Sequence, residues 1–438
     1  MKTLINGRFG RSIAFILAMV ATCEVRASYL YQDSFFEDIN KEQVAPLARL
    51  AGAVVKKTII NQLRSPNPDD AIATMKQLSA AFPAETAFDL VFSPSYRLQA
   101  IDVPNLFIAN HMVSLDLRMV NIYRTMDWRV LGLIAQCSPS LRHLDIKGIF
   151  LGSDTVSLQQ FTQLTSLDAS NNEIAEHVTA LAPLTQLERL SLVNNTIGAH
   201  VSHLTSLSNL NALDLGLNSL EDHAIALQGM TNLTELNIDE NSIAGSIGFL
   251  ENLTNLTCLS CKNNPLAQHV SVLQSLPLLT HLDLSRCGIG AHVSELSALT
   301  QLEHLRLGAN AIGHHAQSLS SLTNLTFLDL SANQLEADVA ALQSLTNLRK
   351  IDISYNSHTA KMDFLLKLTK LTHIKKDRMP STEVMDLCKQ LPQLVRLGVH
   401  PDSLRDLSRE DSAFLNGSGI DISVTEWTPD VRYVGAHQ

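Results

Sequence analysis

The chain has 438 residues, of which 45% are hydrophobic and 17% charged, with a formal net charge of −10. That apolar content supports an ordered core, and the acidic balance argues against a nucleic-acid partner, because phosphate recognition runs on Lys and Arg. Six cysteines in a chain this long do not form a disulfide framework of the kind that staples small exported domains.

Residues 1–27 carry Lys2, Arg8 and Arg11, an apolar run from Ile13 to Val20, and then Val25-Arg26-Ala27 in small-x-small form. This order is that of a secretory signal peptide, which predicts a mature chain beginning at Ser28 in a secreted or periplasmic setting. The run is shorter than the ~20 apolar residues a membrane span needs, so no membrane span is expected; a buried N-terminal helix is the alternative. Cys23 is poorly placed as a lipid-anchor cysteine after Val20-Ala21-Thr22.

Residues 28–111 read as a helical N-terminal cap. Leu47, Leu50, Ala51, Val54, Val55 and Ile59 form one apolar stripe at helical spacing, ended by Arg64-Ser65-Pro66. Asp69-Asp70 then caps a second helix bearing Ile72, Met75, Leu78 and Phe82, stopped by Pro83. Met112–Leu117 looks like the strand of a first, longer repeat, and Met126–Cys137 is helical in pattern.

From Leu141 the chain repeats every 23 residues without insertion or deletion, with copies starting at Leu141, Leu164, Leu187, Leu210, Leu233, Leu256, Leu279, Leu302, Leu325, Leu348, Leu371 and Leu394. Counting from each first Leu as position 0, apolar residues at +3 and +5 alternate with polar ones at +2, +4 and +6, the signature of a strand with one buried face. So short a strand buries nothing alone, and the copies must stack into a parallel sheet. At +8 stand Asn172, Asn195, Asn218, Asn241, Asn264, Asn310, Asn333 and Asn356, with Cys287 the single interruption between them. A buried amide there can satisfy the backbone groups that lose their ladder partners where the strand ends. Ile149, Met379 and Asp402 occupy +8 in the outermost copies, marking capping copies. The remainder, as in Ile197–Asn209, places Val201, Leu204 and Leu207 at short-helix spacing on the opposite side.

The pattern L-x-x-L-x-L-x-x-N-x-L, over 112–404, resembles the leucine-rich repeat. The resemblance implies an α/β repeat solenoid, a horseshoe lined by a parallel concave sheet, and recognition of a protein through that face. It is similar to the short-repeat proteins that bacteria living with eukaryotic cells export. A substrate-recognition adaptor of a ligase-type complex is a competing reading, but residues 28–111 show no F-box: its proline-centred start and tryptophan end are absent. A structural envelope protein is a third. Residues 405–438 lose the period; Gly417-Ser418-Gly419 reads as a loop and Ile420–Trp427 as a weak terminal strand, together a C-terminal cap or tail.

No nucleophile motif, phosphate loop or acid pair appears, so a non-catalytic protein without cofactor or metal is expected, its oligomeric state open. Six of the 16 histidines, His177, His200, His223, His269, His292 and His315, share position +13 and are assigned to the repeat's own hydrogen bonding. Cys258, His281 and His304 are consecutive at +2, but ligands strung ~5 Å apart make a poor tetrahedral site. Cys258-x-x-Cys261 should point to opposite faces, and the sequons at Asn232, Asn252, Asn255 and Asn324 are expected to be largely buried in the repeat seam. The Asp at +4 (Asp168, Asp214, Asp283, Asp329, Asp352) reads as outward consensus that tolerates replacement.

The departures from consensus therefore locate the candidate binding face. At +2, +4, +6 and +7 the first six copies hold Asp145, Asp168, Asp214, Glu235, Asp239 and Glu240 against Lys147, Arg189 and Lys262, a net of −3. The last six hold Arg286, Arg306, Lys350, Lys375, Arg378 and Arg396 against Asp283, Asp329, Asp352 and Asp377, a net of +2. Phe327 and Tyr355 are the only aromatics on this face, both in the basic half. The expected partner is a protein with an acidic patch, steered by Arg286, Arg306, Lys350 and Lys375 and anchored on an exposed Phe327. His281 and His304, at an ordinary pKa near ~6.5, would add positive charge in mild acid. Glu235, Asp239 and Glu240 form the fallback site.

Overall fold

A computed structural model describes residues 88–91, 112–116, 130–137 and 139–423, apart from 246, 336, 357–362 and 378. The signal segment, both apolar stripes of the N-terminal segment, Arg378 and Trp427 lie outside these residues. The chain divides into two compact units, Met1–Leu187 and Glu188–Gln438.

In the first unit four parallel strands follow in order: β1 (Phe88–Val91), β2 (Met112–Asp116), β3 (His143–Asp145) and β4 (Ser166–Asp168). β1 falls inside the segment read as helical; its Phe-Asp-Leu-Val alternates polar and apolar, and β2 gives it a partner. The helical pattern before Cys137 is met by α1 (Val130–Cys137), which buries Leu131 and Ile134 completely.

In the second unit eleven strands pair in parallel in chain order: β5 (Arg189–Ser191), β6 (Ala212–Asp214), β7 (Glu235–Asn237), β8 (Cys258–Ser260), β9 (His281–Asp283), β10 (His304–Arg306), β11 (Phe327–Asp329), β12 (Lys350–Asp352), β13 (His373–Lys375), β14 (Arg396–Gly398) and β15 (Asp421–Ser423). Each strand from β5 to β14 occupies +2 to +4, and register follows the period, so Leu282, Leu305, Leu328 and Ile351 stand side by side. All four are 0% exposed. β15 is the terminal strand expected within Ile420–Trp427.

The returning segments are 3₁₀ helices such as Gly198–Ser206, Gly290–Ala298 and Gly313–Ser321. The reason is the spacing: Val201, Leu204 and Leu207 recur every three residues, and at three residues per turn they align on one buried line. Most of these segments are entered through a left-handed residue at +11, which explains glycine at Gly198, Gly290 and Gly313 (φ 48, 47 and 54°). Towards the C-terminus the segment lengthens into α2 (Ser381–Gln390), and a further helix, α3 (Arg409–Ser418), ends on Gly419 at φ 74°. The Gly417-Ser418-Gly419 loop is thus the end of a helix and its left-handed cap.

The asparagine column works as its recurrence predicts. Asn310 Nδ2 donates to the carbonyls of Leu284 (2.8 Å) and Leu307 (2.9 Å), while its Oδ1 accepts from the N–H groups of Cys287 (3.0 Å) and Ile289 (3.3 Å) in the copy before. Asn218, Asn241 and Asn333 repeat the arrangement. At the interruption, Cys287 Sγ donates to the Cys261 carbonyl at 3.2 Å but offers no carbonyl acceptor. The copy before it carries Pro265 where neighbouring copies have a left-handed residue; its fixed φ turns the Leu266 N–H onto the Asn264 carbonyl (2.8 Å), while the Asn264 N–H, the other donor an amide would satisfy, meets the Cys287 sulfur.

Candidate functional site

The strand face begins with the +4 column, and the structure revises its role. Because each strand stops at +4, that side chain folds over the turn and its carboxylate accepts the +6 N–H: Asp214 from Gly216 (3.1 Å), Asp283 from Ser285 (2.8 Å), Asp329 from Ser331 (2.8 Å) and Asp352 from Ser354 (2.9 Å). These carboxylates are turn clamps rather than replaceable surface, and Asp214 is only 5% exposed. Asn237 performs the same task for the Asp239 N–H at 2.8 Å.

Ser260 is too short for it, and Asp239 of the preceding copy substitutes, accepting the Lys262 N–H (2.7 Å) and the Ser260 hydroxyl (2.5 Å). Burial pushes the Asp239 carboxyl up to about 6. The expected acidic cluster therefore separates: Asp239 serves the fold, Glu235 pairs with Arg189 at 3.2 Å, and Glu240 alone is fully exposed.

The basic half is neutralised in part from within by the same column. Arg306 stands where other copies carry Asp, 3.7 Å from Asp283, and Lys375 lies 3.2 Å from Asp352. Both remain half-buried. Phe327, expected as an exposed anchor, is 2% exposed. The Arg306 guanidinium lies 5.5 Å from its ring centroid, and His304 stacks against it at 5.9 Å. A short strand in register brings these long side chains over the ring, and Phe327 supports the surface instead of forming it.

His304 also stacks on His281, with centroids 4.3 Å apart and planes 10° from parallel. Burial, then His281, Arg306 and Lys350, pull His304 down to about 4, and burial likewise lowers His281 and His373. The expected charging of the His281–His304 pair in mild acid is therefore corrected downward in pH. Burial, then Glu235, pushes the Cys258 thiol up to about 12, keeping it protonated at neutral pH.

What remains outward is the +7 column, at the turn leaving each strand. Every described +7 residue of the second unit from Asn194 to Tyr355 has a positive φ, from 54° at Ala332 to 58° at Leu217 and Arg286. Asn194 and Asn263 suit that region; Leu217, Glu240, Arg286 and Tyr355 do not, at a cost of roughly 1–2 kcal/mol each for a side chain with a Cβ. All four are exposed, Tyr355 by 71% and Leu217 by 45%. Leu217 escaped the sequence reading; the signal was the Asn and Gly of sister copies at the same position.

On the returning side the +13 histidines share no common side-chain bond. His292 meets Glu295 at 2.9 Å and His200 stacks on His203 at 6.2 Å, so their assignment to the repeat's hydrogen bonding holds only for the backbone. Among the described residues no group of three or more His, Cys, Asp or Glu is placed to hold a metal ion, and no helix is long and apolar enough to cross a membrane. The sequon asparagines Asn232, Asn252, Asn255 and Asn324 are exposed, not buried. Asn232, Asn255 and Asn324 donate to the Ser208, Thr231 and Thr300 carbonyls of the copy before, each at 2.9 Å, a second ladder on the surface.

A family described as leucine-rich repeats (two copies) matches residues 323–367. Among solved structures, an internalin (inlF) from Listeria monocytogenes is similar at 19% identity and a TM-score of 0.56, covering 81% of this chain and 97% of its own. An internalin C2 from the same organism aligns at 25% identity and a TM-score of 0.37, over 50% of this chain and 83% of its own. A leucine-rich repeat protein of Leptospira interrogans aligns at 18% identity and a TM-score of 0.35, over 64% of this chain and 95% of its own. No curated protein sequence matches significantly.

Proposed function

The chain is a leucine-rich repeat protein, and from that premise we propose that it is a non-catalytic scaffold that binds a protein through the strand face of its second unit. Leucine-rich repeat folds are in general binding scaffolds, and what they bind is set by the side chains grafted on the repeat. The observation that carries the reading is the division of labour on this face. The Asn column and the Arg306–Asp283 and Lys375–Asp352 pairs hold the copies together and the Asp carboxylates clamp the turns, while Arg286, Tyr355 and Glu240 present exposed side chains. Half-buried Lys350, His281 and His304 lie between them on the strands.

The setting we propose is an exported bacterial protein acting on a host or neighbouring cell. It is supported by the signal-like residues 1–27 and by the fold shared with the Listeria internalin. Arg286 and Lys350 steer an acidic partner, so association slows as salt screens them. Pull-down with residues 28–438 as bait, in buffers of low and high salt, tests the reading. Retention of a protein whose association falls with salt and with the Lys350→Glu, Arg286→Glu pair supports it; a bait that retains nothing above blank resin overturns it.

A further inference from the structure

Resting on the reading above, we propose that the docking site is a trough in the +7 rank, walled by Arg286 and Tyr355 and floored by Ala309 and Ala332, and that its occupant is an α-helix of the partner carrying a carboxylate on its apolar face.

The rank is built by the backbone. The +7 N–H of one copy donates to the +6 carbonyl of the next: Arg286 to Gly308 (2.8 Å), Ala309 to Ser331 (2.8 Å) and Ala332 to Ser354 (2.8 Å). The Tyr355 N–H donates to the Asp377 carboxylate. Each backbone position is thereby held one copy from the next, at the ~4.8 Å spacing of neighbouring strands. Arg286 and Tyr355 stand three copies apart, so ~14 Å separates their backbones, and only the methyl groups of Ala309 and Ala332 lie between. An α-helix with its side chains is ~10–12 Å across, and it fits that gap lying along the strands.

Chemistry selects the helix. Arg286 makes no ion pair among the described residues, unlike Arg306 and Lys375, and an incoming carboxylate completes it. Tyr355 offers an exposed ring on the opposite wall, which an apolar side chain covers. The left-handed backbone supplies an independent pointer: Asn occupies this position at no such cost in Asn194 and Asn263, so a folding requirement alone does not account for Arg and Tyr at φ 58 and 55°.

Three baits decide: the full chain, its R286N/Y355N variant, and His373→Ala as a control on the strand face, at β13. The R286N/Y355N protein is expected to melt above the parent, since Asn suits the left-handed turn, and to lose at least tenfold of the partner that parent and His373→Ala both retain. A photo-crosslinker in place of Ala309 then marks partner residues three and four apart. Melting below the parent removes the premise of strain. Retention by R286N/Y355N with loss from His373→Ala moves the site to the strands and overturns the trough while the binding function stands. No retention by any bait overturns both, and crosslinks to alternate residues mean a strand and overturn the helix.

Discussion

At the residue scale, the turn at the end of each strand is held by two side chains of unequal legibility. The Asn at +8 announces itself by recurrence, because only a repeated backbone need explains an amide in eight copies. The Asp at +4 recurs too, yet alternation assigns it to solvent. Its clamp on the +6 N–H follows from the strand ending after three residues, which no single-copy pattern reveals. Asn241→Ala leaves the N–H groups of Asn218 and Leu220 without their acceptor and takes from the Leu215 carbonyl one of its two amide donors, and is expected to cost ~1–3 kcal/mol. Asp214→Ala, stripping the Gly216 N–H, is expected to destabilise as well, by ~1 kcal/mol. Glu240→Ala, exposed, is expected to stay within about ±0.5 kcal/mol. Urea denaturation of the three variants measures this order, and an Asp214→Ala protein as stable as the parent removes the clamp.

Phe327 was misplaced for a related reason. Period 2 points it outward correctly, but burial there depends on the residues one copy away, and Arg306 and His304 are long enough to cover the ring. A one-dimensional pattern gives direction, not depth.

At the scale of the element, β9 to β12 form a segment whose ionisable groups oppose one another as pH falls. His304 is held near 4 by burial, below its ordinary 6.5. Its contribution to stability is therefore present above pH 6.5 and lost as pH falls towards 4. Asp329 is raised to about 6 by burial and then by the neighbouring Asp352. Its contribution is full below 3.8 and lost as pH rises through 6, so at neutral pH the ionised carboxylate weighs against the fold. Asn237 shows that an amide can clamp this turn. Asp329→Asn is therefore expected to stabilise the chain at pH 7, with the gain shrinking as pH drops from 6 to 4. His304→Phe should flatten the loss on acidification over 6.5 to 4. Melting temperatures at pH 4, 5, 6 and 7 check both signs; an Asp329→Asn variant that gains as the pH is lowered contradicts them. The 3₁₀ segments show how much of an element the spacing can state: apolar residues three apart specify a helix of three residues per turn, and the structure delivers it.

At the scale of the whole molecule, the repeat and its period were legible because a solenoid writes the same contact many times. The proposed binding face was less so, since it consists of what the repeat leaves unused, and that set is visible only once the clamps, the ion pairs and the covered ring have been subtracted. Of the expected site, Arg286, Tyr355 and Glu240 stand exposed; Arg306, Lys375, Phe327, Glu235 and Asp239 are engaged within the protein. Export is a separate matter, and intact mass settles it: chain recovered from the producing cell should begin at Ser28, and a mass that includes Met1–Ala27 contradicts the signal.

The claim that a partner docks on the strand side of the second unit is tested most directly by hydroxyl-radical footprinting of the chain with and without the protein it captures. Oxidation of Tyr355, Leu217 and His281 should fall on complex formation, while His200 and His292 on the returning segments and Phe414 on α3 oxidise as before. Protection of His200 and His292 with Tyr355 and Leu217 unchanged would place the partner on the opposite side and contradict the account.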